Sequence, residues 1–358
     1  GIDRDLDWMP SKYIQAPREK VFRVKDGKRF SLVRSLLFQL SSELGVRRFV
    51  KEAVAFGRDR NVEAIWASLR TPRSSKIAIS TARELNVPLY SLVWDPPEHA
   101  WRIFNLDART QKRLLKEFDQ AIHSSASCAV ASEGMKSKYE QDYQVRCTPM
   151  IYAPSRPEGL STDFKIEGRR EAVIGVIGHI WAQSEWELFI RALNSMGWAI
   201  GDKKVVLKVM GSRIPDTGSL PANIEYLGWL DTDEVLMQLS GVDMAYVPYA
   251  FGESGRLVSS LSFPNKLAAC SAARIPVLFH GPDYSSPAKF LQKYPMGLIC
   301  SKNSTEELEA AVVSLSSDFD RVQLLREASE RAYQDVFHPS RFRASFAEFL
   351  GLEETVLQ

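Results

Sequence analysis

Two successive α/β halves, each built on a parallel, doubly wound sheet, are what this 358-residue sequence predicts. Three observations carry the expectation. Short apolar runs of strand length alternate with longer amphipathic stretches along most of the chain, the pattern of strand–helix–strand units and a parallel sheet. The alternation breaks once, at Ala153–Gly159 (APSRPEG), where two prolines and a glycine precede a polar stretch to Arg170, and it restarts at Ala172. The length also suffices for two domains with separate cores.

In the first half, residues 1–30 are polar and poorly periodic. Arg18, Lys20, Arg23, Lys25, Lys28, Arg29 and Arg34 accumulate with few acids between them. From Ser31 to Phe56, Leu32, Leu36, Leu40, Leu44, Phe49, Val50 and Val54 recur at helical spacing, predicting one or two amphipathic helices. A strand follows at Ala64–Ser68, a helix at about Lys76–Leu85, and a strand at Pro88–Val93. A helix from about Asp107 to Phe118, a strand around Cys128–Ser132 and a last strand at Cys147–Tyr152 complete this half.

The second half predicts a strand at Ala172–Ile177, a helix at Glu185–Met196, and strands at Val205–Met210 and Ile224–Tyr226. A helix at Asp233–Leu239 leads to a strand at Met244–Val247. Asp231-Thr-Asp233 has the form of a metal-nucleotide motif, yet Glu234 three residues after Asp231 makes it a capping-box-like helix start. The stretch Ser259–Pro282 (SSLSFPNKLAACSAARIPVLFHGP) organises the rest. Pro264 suits a first helical turn with Ser262 as its cap. Leu267–Ala273 is made of small residues and can approach its neighbours closely. Ile275–Phe279 is a short apolar run, expected as a strand covered on both faces. Gly297–Cys300 is a further strand, and Ser304 with Glu307 predicts a capping box for a helix to Leu315. The expected domains are 1–155, joined by a C-terminal helix at 338–358, and 170–337.

Composition excludes several classes. Hydrophobic content of 45% and charged content of 25% are ordinary for a globular protein, and a net charge of +2 gives no global argument for nucleic acid. Cys128, Cys147, Cys270 and Cys300 form no Cys-x-x-Cys pair, and three lie in or beside apolar segments, predicting reduced, buried thiols in a cytosolic protein. No apolar run approaches the roughly 18 residues of a membrane span. The stretch GIDRDLDW does not read as a signal peptide, so none is expected there, and the five histidines show no metal-ligand spacing.

Lys266 is the oddity. A cation in the first turn opposes the helix dipole, which favours carboxylates there. It is either a solvated lysine on a core helix, or one that meets an anion together with the free N–H groups of the helix end.

PNKLAACSAARIPVL resembles the donor-side segment of GT-B glycosyltransferases, and the family 4-like group in particular, where a Pro-x-Lys-Leu helix precedes a Gly-x-Pro-Val strand. The resemblance implies two Rossmann-like domains with parallel sheets facing across a cleft. It implies a retaining, metal-independent transfer of a sugar from a nucleotide-sugar donor to a glycan or lipid-linked acceptor, as in polysaccharide biosynthesis, with no cofactor. Lys266, with Asn265 beside it, is then expected at the donor diphosphate. Val173–Gly178 followed by His179 resembles the family's first C-domain strand and phosphate-facing glycine, although HIWAQSE lacks the usual downstream cations; as a bare pattern it is also an ordinary tight turn. Pro248–Gly255 (PYAFGESG) sits where the family's carboxylate loop stands, so Glu253 is a candidate catalytic residue, or a solvated loop glutamate. Arg256 is a further diphosphate candidate. Asp95 and His99, in the loop after Pro88–Val93, are the acceptor-side catalytic candidates, against turn chemistry at Asp-Pro. Ser132-Glu133 resembles a Ser-Glu that follows a later strand of that domain, and also starts a helix.

Two departures are informative. Ala269 stands where the family has a glutamate expected to hold the ribose hydroxyls. Residues 1–30 also lack the strand–glycine loop–helix that opens a GT-B N-terminal domain, so the chain reads as a fragment or as having a reduced first domain. The alternatives are a GT-B-like binding or scaffold protein with a degraded donor site, and a sugar-nucleotide epimerase on the same fold, for which no acid/base set is evident. The basic segment 18–34 is expected to rest on an anionic membrane at the cytoplasmic face, or to be a solvated or partner-contacting surface.

Overall fold

The computed structural model describes residues 31–101, 107–162, 169–211 and 223–352. The basic run from Arg18 to Arg29 lies outside them. The chain divides into two compact units, whose described parts fall in residues 31–130 and 137–148, and in residues 131–136 and 149–352.

In the first unit, Ser31–Asp59 is one continuous helix (α1). Val46, Val50 and Val54, each four residues apart, form its buried stripe against Ile77 and Leu85. Strand β1 (Ile65–Ser68) is followed by α2 (Ser74–Leu85), β2 (Leu89–Val93), the single turn α3 (Pro97–Ala100), α4 (Ala108–His123), β3 (Ser125–Val130), α5 (Glu133–Tyr143) and β4 (Cys147–Pro149). The strands lie in the order β1-β2-β3-β4, with β1–β2 and β2–β3 parallel. Asp107 caps α4 by accepting from the amides of Arg109 and Thr110 at 3.1 Å, so this helix starts where the sequence placed it and runs five residues longer. All four cysteines are free and buried.

The second unit contains β5 (Glu171–Ile177), α6 (Gln183–Ser195), β6 (Ala199–Ile200), β7 (Lys203–Met210), β8 (Ile224–Gly228), α7 (Thr232–Leu239), β9 (Met244–Pro248), α8 (Arg256–Leu261), α9 (Asn265–Ala272), β10 (Val277–His280), α10 (Ser286–Lys293), β11 (Gly297–Cys300), α11 (Thr305–Ser317), α12 (Phe319–Ala332) and α13 (Pro339–Leu350). The sheet order is β11-β10-β9-β5-β7-β6, with β8 paired to β7; only β6 is antiparallel to its neighbour. Counted without β6, this is the 3-2-1-4-5-6 order of a doubly wound sheet. Its winding reverses between β5 and β9, where such sheets bind ligands at the strands' carboxyl ends.

Strand residues alternate between two cores. Val173, Ile177, Ala245, Val247, Val277 and Phe279 face one layer with α7, α9, α10 and α12. Ala172, Ile174, Val176, Met244, Tyr246 and Leu278 face the other with α6 and α11. Period-two alternation inside uniformly apolar strands is what burial on both faces requires.

Several expected boundaries move. Asp231 and Glu234 form the full capping box, so that motif is a helix start. Ser304 does accept from the Glu307 amide, but the Glu307 carboxylate turns to the Lys302 amide, which leaves half a box. Pro264 is the cap residue of α9 rather than its first helical residue, with ψ at 117°. Ser262 instead closes α8, a short helix that the sequence pattern does not predict, and its carbonyl accepts the Ser286 hydroxyl. The strand expected at Ile275–Phe279 begins two residues later and ends on His280.

Candidate functional site

The carboxyl end of β5 opens directly into the loop that the sequence singled out. Gly178 adopts φ +69°, a conformation costly for a residue with a side chain. Its amide donates to the Met210 carbonyl at 2.6 Å, folding the loop across the end of β7. Lys266, second residue of α9, reaches this loop from the other side: Nζ donates to the His179 carbonyl oxygen at 3.0 Å, and Cε lies 3.6 Å from where a Cβ on Gly178 would be.

Three of the donor-side candidates therefore meet, with Asn265 next to one of them in the chain. Gly178 and His179 form the loop, Lys266 bridges to it, and Asn265 is exposed as the first helical residue beside it. Pro264 offers no side-chain acceptor at the cap, so the positive end of α9 is not neutralised by a capping oxygen. Burial pushes the Lys266 ammonium down to about 8, with the nearby Cys270 working weakly against it. A half-buried cation at a positive helix end is the arrangement an anion relieves. Ala269, one turn further along the same face, is nearly buried and contributes no polar group.

Glu253 and Arg256 form a second cluster after β9. Arg256 Nη1 lies 3.3 Å from Glu253 Oε1, and its guanidinium stacks 4.3 Å from the Tyr284 ring centre. Both side chains are exposed, so Arg256 is held beside Glu253 rather than presented alone as a phosphate ligand. In the first unit, Asp95 is exposed and His99 half-buried, and both follow the carboxyl end of β2, with His99 in α3. Ser132 starts α5, accepting from the Met135 amide at 3.0 Å while its hydroxyl donates to the Leu261 carbonyl at 2.6 Å.

The structure adds three residues that the sequence reading passed over. Glu185, in the first turn of α6, is 2% exposed. Its Oε1 accepts the Phe251 amide at 3.0 Å and its Oε2 accepts the Ser184 hydroxyl at 2.8 Å. Its backbone carbonyl accepts the Tyr246 hydroxyl at 2.9 Å. That hydroxyl has one proton, and a carbonyl can only accept, so His280 Nδ1, 2.9 Å from Tyr246 Oη, must be the protonated nitrogen. Nε2 is then a buried lone pair with no hydrogen-bond partner among the described residues. Burial holds His280 down to about 4, despite the upward pull of Glu185. An acid in a first helical turn and a histidine closing an apolar run are both ordinary, so the sequence carried no signal for this cluster.

Among the described residues, no group of three or more His, Cys, Asp or Glu side chains could hold a metal ion. No family model and no curated protein matches the sequence. Solved structures do match. Sucrose-phosphate synthase from Thermosynechococcus elongatus superposes with a TM-score of 0.65 at 11% identity, covering 86% of this chain and 77% of the other. The Anabaena protein HepE, in complex with UDP and glucose, gives 0.63 at 12% identity, covering 88% and 83%. The fold is GT-B. Trehalose 6-phosphate synthase from Burkholderia multivorans extends the GT-B likeness, with a TM-score of 0.56 at 12% identity over 86% of this chain and 75% of its own. At such identities the shared property is the GT-B fold; the chemistry rests on this chain's own residues.

Proposed function

We propose that this chain is a glycosyltransferase that moves a sugar from a nucleotide-sugar donor to a glycan or lipid-linked acceptor, with retention of configuration and without a metal ion or other cofactor. One observation carries the reading: the Lys266 ammonium lies over the Gly178–His179 loop at the carboxyl end of β5, in a GT-B sheet that reverses its winding there. As the glycosidic bond breaks, negative charge develops on the leaving diphosphate. An ammonium and a helix N-terminus aimed at that charge stabilise the transition state without reorganising. The UDP and glucose of the HepE complex support a nucleotide-sugar as the donor class.

In this reading Asn265 and His179 flank the diphosphate, Glu253 faces the donor sugar with Arg256 beside it, and Asp95 and His99 serve the acceptor. No helix among the described residues is long and apolar enough to cross a membrane. The basic segment between Arg18 and Arg34 is proposed to rest on an anionic leaflet that presents a lipid-linked acceptor, each basic group adding about 1 kcal/mol.

Calorimetry with nucleoside diphosphates, in EDTA, tests the central claim. Lys266→Ala should weaken binding by about 1.5–3 kcal/mol, as for a charge-assisted contact, with little change in folding stability. Equal affinity of wild type and variant would leave Lys266 as a brace of the His179 carbonyl alone and remove the reading.

A further inference from the structure

Glu185 is a carboxylate in the interior, and no cation pairs with it among the described residues. Burying such a charge is costly unless hydrogen bonds replace its water. Here they come from the Ser184 hydroxyl and, more tellingly, from the amide of Phe251, 66 residues away. The loop that contains Phe251 also carries Glu253 and ends at Arg256. Its base is fixed by the Tyr249 amide, which donates to the His280 carbonyl at 2.7 Å, and by the Ser259 hydroxyl, which donates to the Ala250 carbonyl at 3.2 Å. Phe251 is where the loop is tied to α6, the helix that follows Gly178 and His179. Glu185 is itself braced, because the Tyr246 hydroxyl donates to its backbone carbonyl and His280 Nδ1 in turn fixes that hydroxyl. One buried side chain of α6 thus holds the loop that carries Glu253.

We propose that Glu185 is a positioning residue for the glycosyl transfer inferred above, on which this role rests. Its carboxylate anchors the Tyr249–Gly255 loop through the Phe251 amide and sets where Glu253 stands relative to the Gly178–Lys266 cradle. A carboxylate accepting from a backbone amide makes a short, charge-assisted bond, suited to holding a loop that has no regular structure except the single 3-10 turn at Glu253–Gly255. Glutamine retains an acceptor for that amide, while alanine removes it.

Hydrogen exchange on the wild type is the first test and needs no variant. The Phe251 amide should be protected far more strongly than the exposed amides of the same loop; exchange at the unprotected rate overturns the anchor. In Glu185→Ala that protection should fall at least about tenfold while the amides of β5 and β9 keep theirs, and Glu185→Gln should restore most of it. For catalysis, Glu185→Ala should lower kcat by about 10–100-fold, the scale of a small misplacement, with nucleoside diphosphate affinity and donor KM changed less than about threefold. If Glu185 acts through Glu253, its deletion should cost little more in a Glu253→Ala background. Additive losses, or a Gln variant as impaired as the Ala one, overturn the positioning role. A wild type that neither binds a nucleoside diphosphate nor turns over any donor overturns instead the reading on which that role rests, and the exchange of Phe251 then reports on the anchor alone.

Discussion

Gly211 stands against the backbone of Gly178 so closely that a Cβ added to it would lie 2.9 Å from the Gly178 carbonyl carbon and nearer still to its oxygen. Gly211 also donates its amide to the Gly228 carbonyl at 2.8 Å, so the ends of β5, β7 and β8 are packed into one junction. The shape of the Gly178 loop therefore depends on the absence of one carbon at Gly211, 33 residues further along the chain.

Gly211→Ala should consequently cost stability by about 1–3 kcal/mol as overpacking and weaken nucleoside diphosphate binding, because the Gly178 carbonyl must shift. Gly201→Ala is the control: φ is +59° there and nothing lies within 4 Å, so only backbone strain of about 1–2 kcal/mol is expected, with affinity intact. Denaturation and calorimetry on both variants check this; equal effects of the two on affinity would sink it.

The ammonium of Lys266 predicts a pH signature. In the free protein it titrates near 8, below the ordinary 10.5, because burial disfavours its charge. A bound diphosphate favours the charged form and raises that value. Below pH 8 the lysine is charged in both states, so its contribution to affinity is flat. Above it the free protein must take up a proton to bind, and affinity should fall by up to about tenfold per pH unit. Titrations in buffers of different ionisation heat should show proton uptake near pH 8–9 that vanishes in Lys266→Ala. Affinity rising with pH in that range would contradict the assignment.

How much of this was legible in the sequence divides along physical lines. Short continuous apolar runs bounded by turn residues placed most of the longer strands to within a few residues, since burial on both faces leaves little freedom in composition. Lys266 stood out because it breaks a local rule, a cation at a positive helix end, whereas Gly178 stood out only through the family resemblance, since a glycine at a strand exit is ordinary turn chemistry. The short α8 was missed because Leu257–Leu261 reads equally as loop. The Pro264 boundary failed because proline's fixed φ suits both the cap and the first helical position, and only ψ separates them. Glu185, Tyr246 and His280 each obey local rules, so their meeting is a property of the sheet order alone.

His280 sets an acid limit. Its folded value lies near 4, against an ordinary 6.5. A depressed value means that the unfolded chain binds the proton first as pH falls. The contribution is therefore complete above about pH 6.5 and is lost progressively toward pH 4, with a ceiling of about 3 kcal/mol. His280→Asn keeps a donor for Tyr246 but does not titrate. The stability gap between wild type and this variant should close as pH drops from 7 to 4, measured by urea unfolding. A gap independent of pH would mean that His280 charges freely in the fold.

Ala269 carries the last prediction. It lies three residues beyond Lys266, so both side chains share a helix face, and in the family that Asn265–Ala272 resembles, a glutamate at this place is expected to hold ribose. Alanine supplies no acceptor there. Ala269 is only 9% exposed, so Ala269→Glu brings a carboxylate into a nearly closed site. Two effects then compete. Without ligand, desolvation of the new charge should lower the melting temperature, partly offset by Lys266 one turn away. With a nucleoside diphosphate bound, the carboxylate can accept from ribose hydroxyls, and hydrogen bonds to a charged group are worth about 1.5–3 kcal/mol. Affinity for the nucleoside diphosphate should therefore rise while affinity for pyrophosphate, which has no ribose, does not. Calorimetry with the two ligands separates the outcomes. A folded variant that gains equally for both would have gained only through Lys266, and one that gains for neither would place the ribose away from this face of α9.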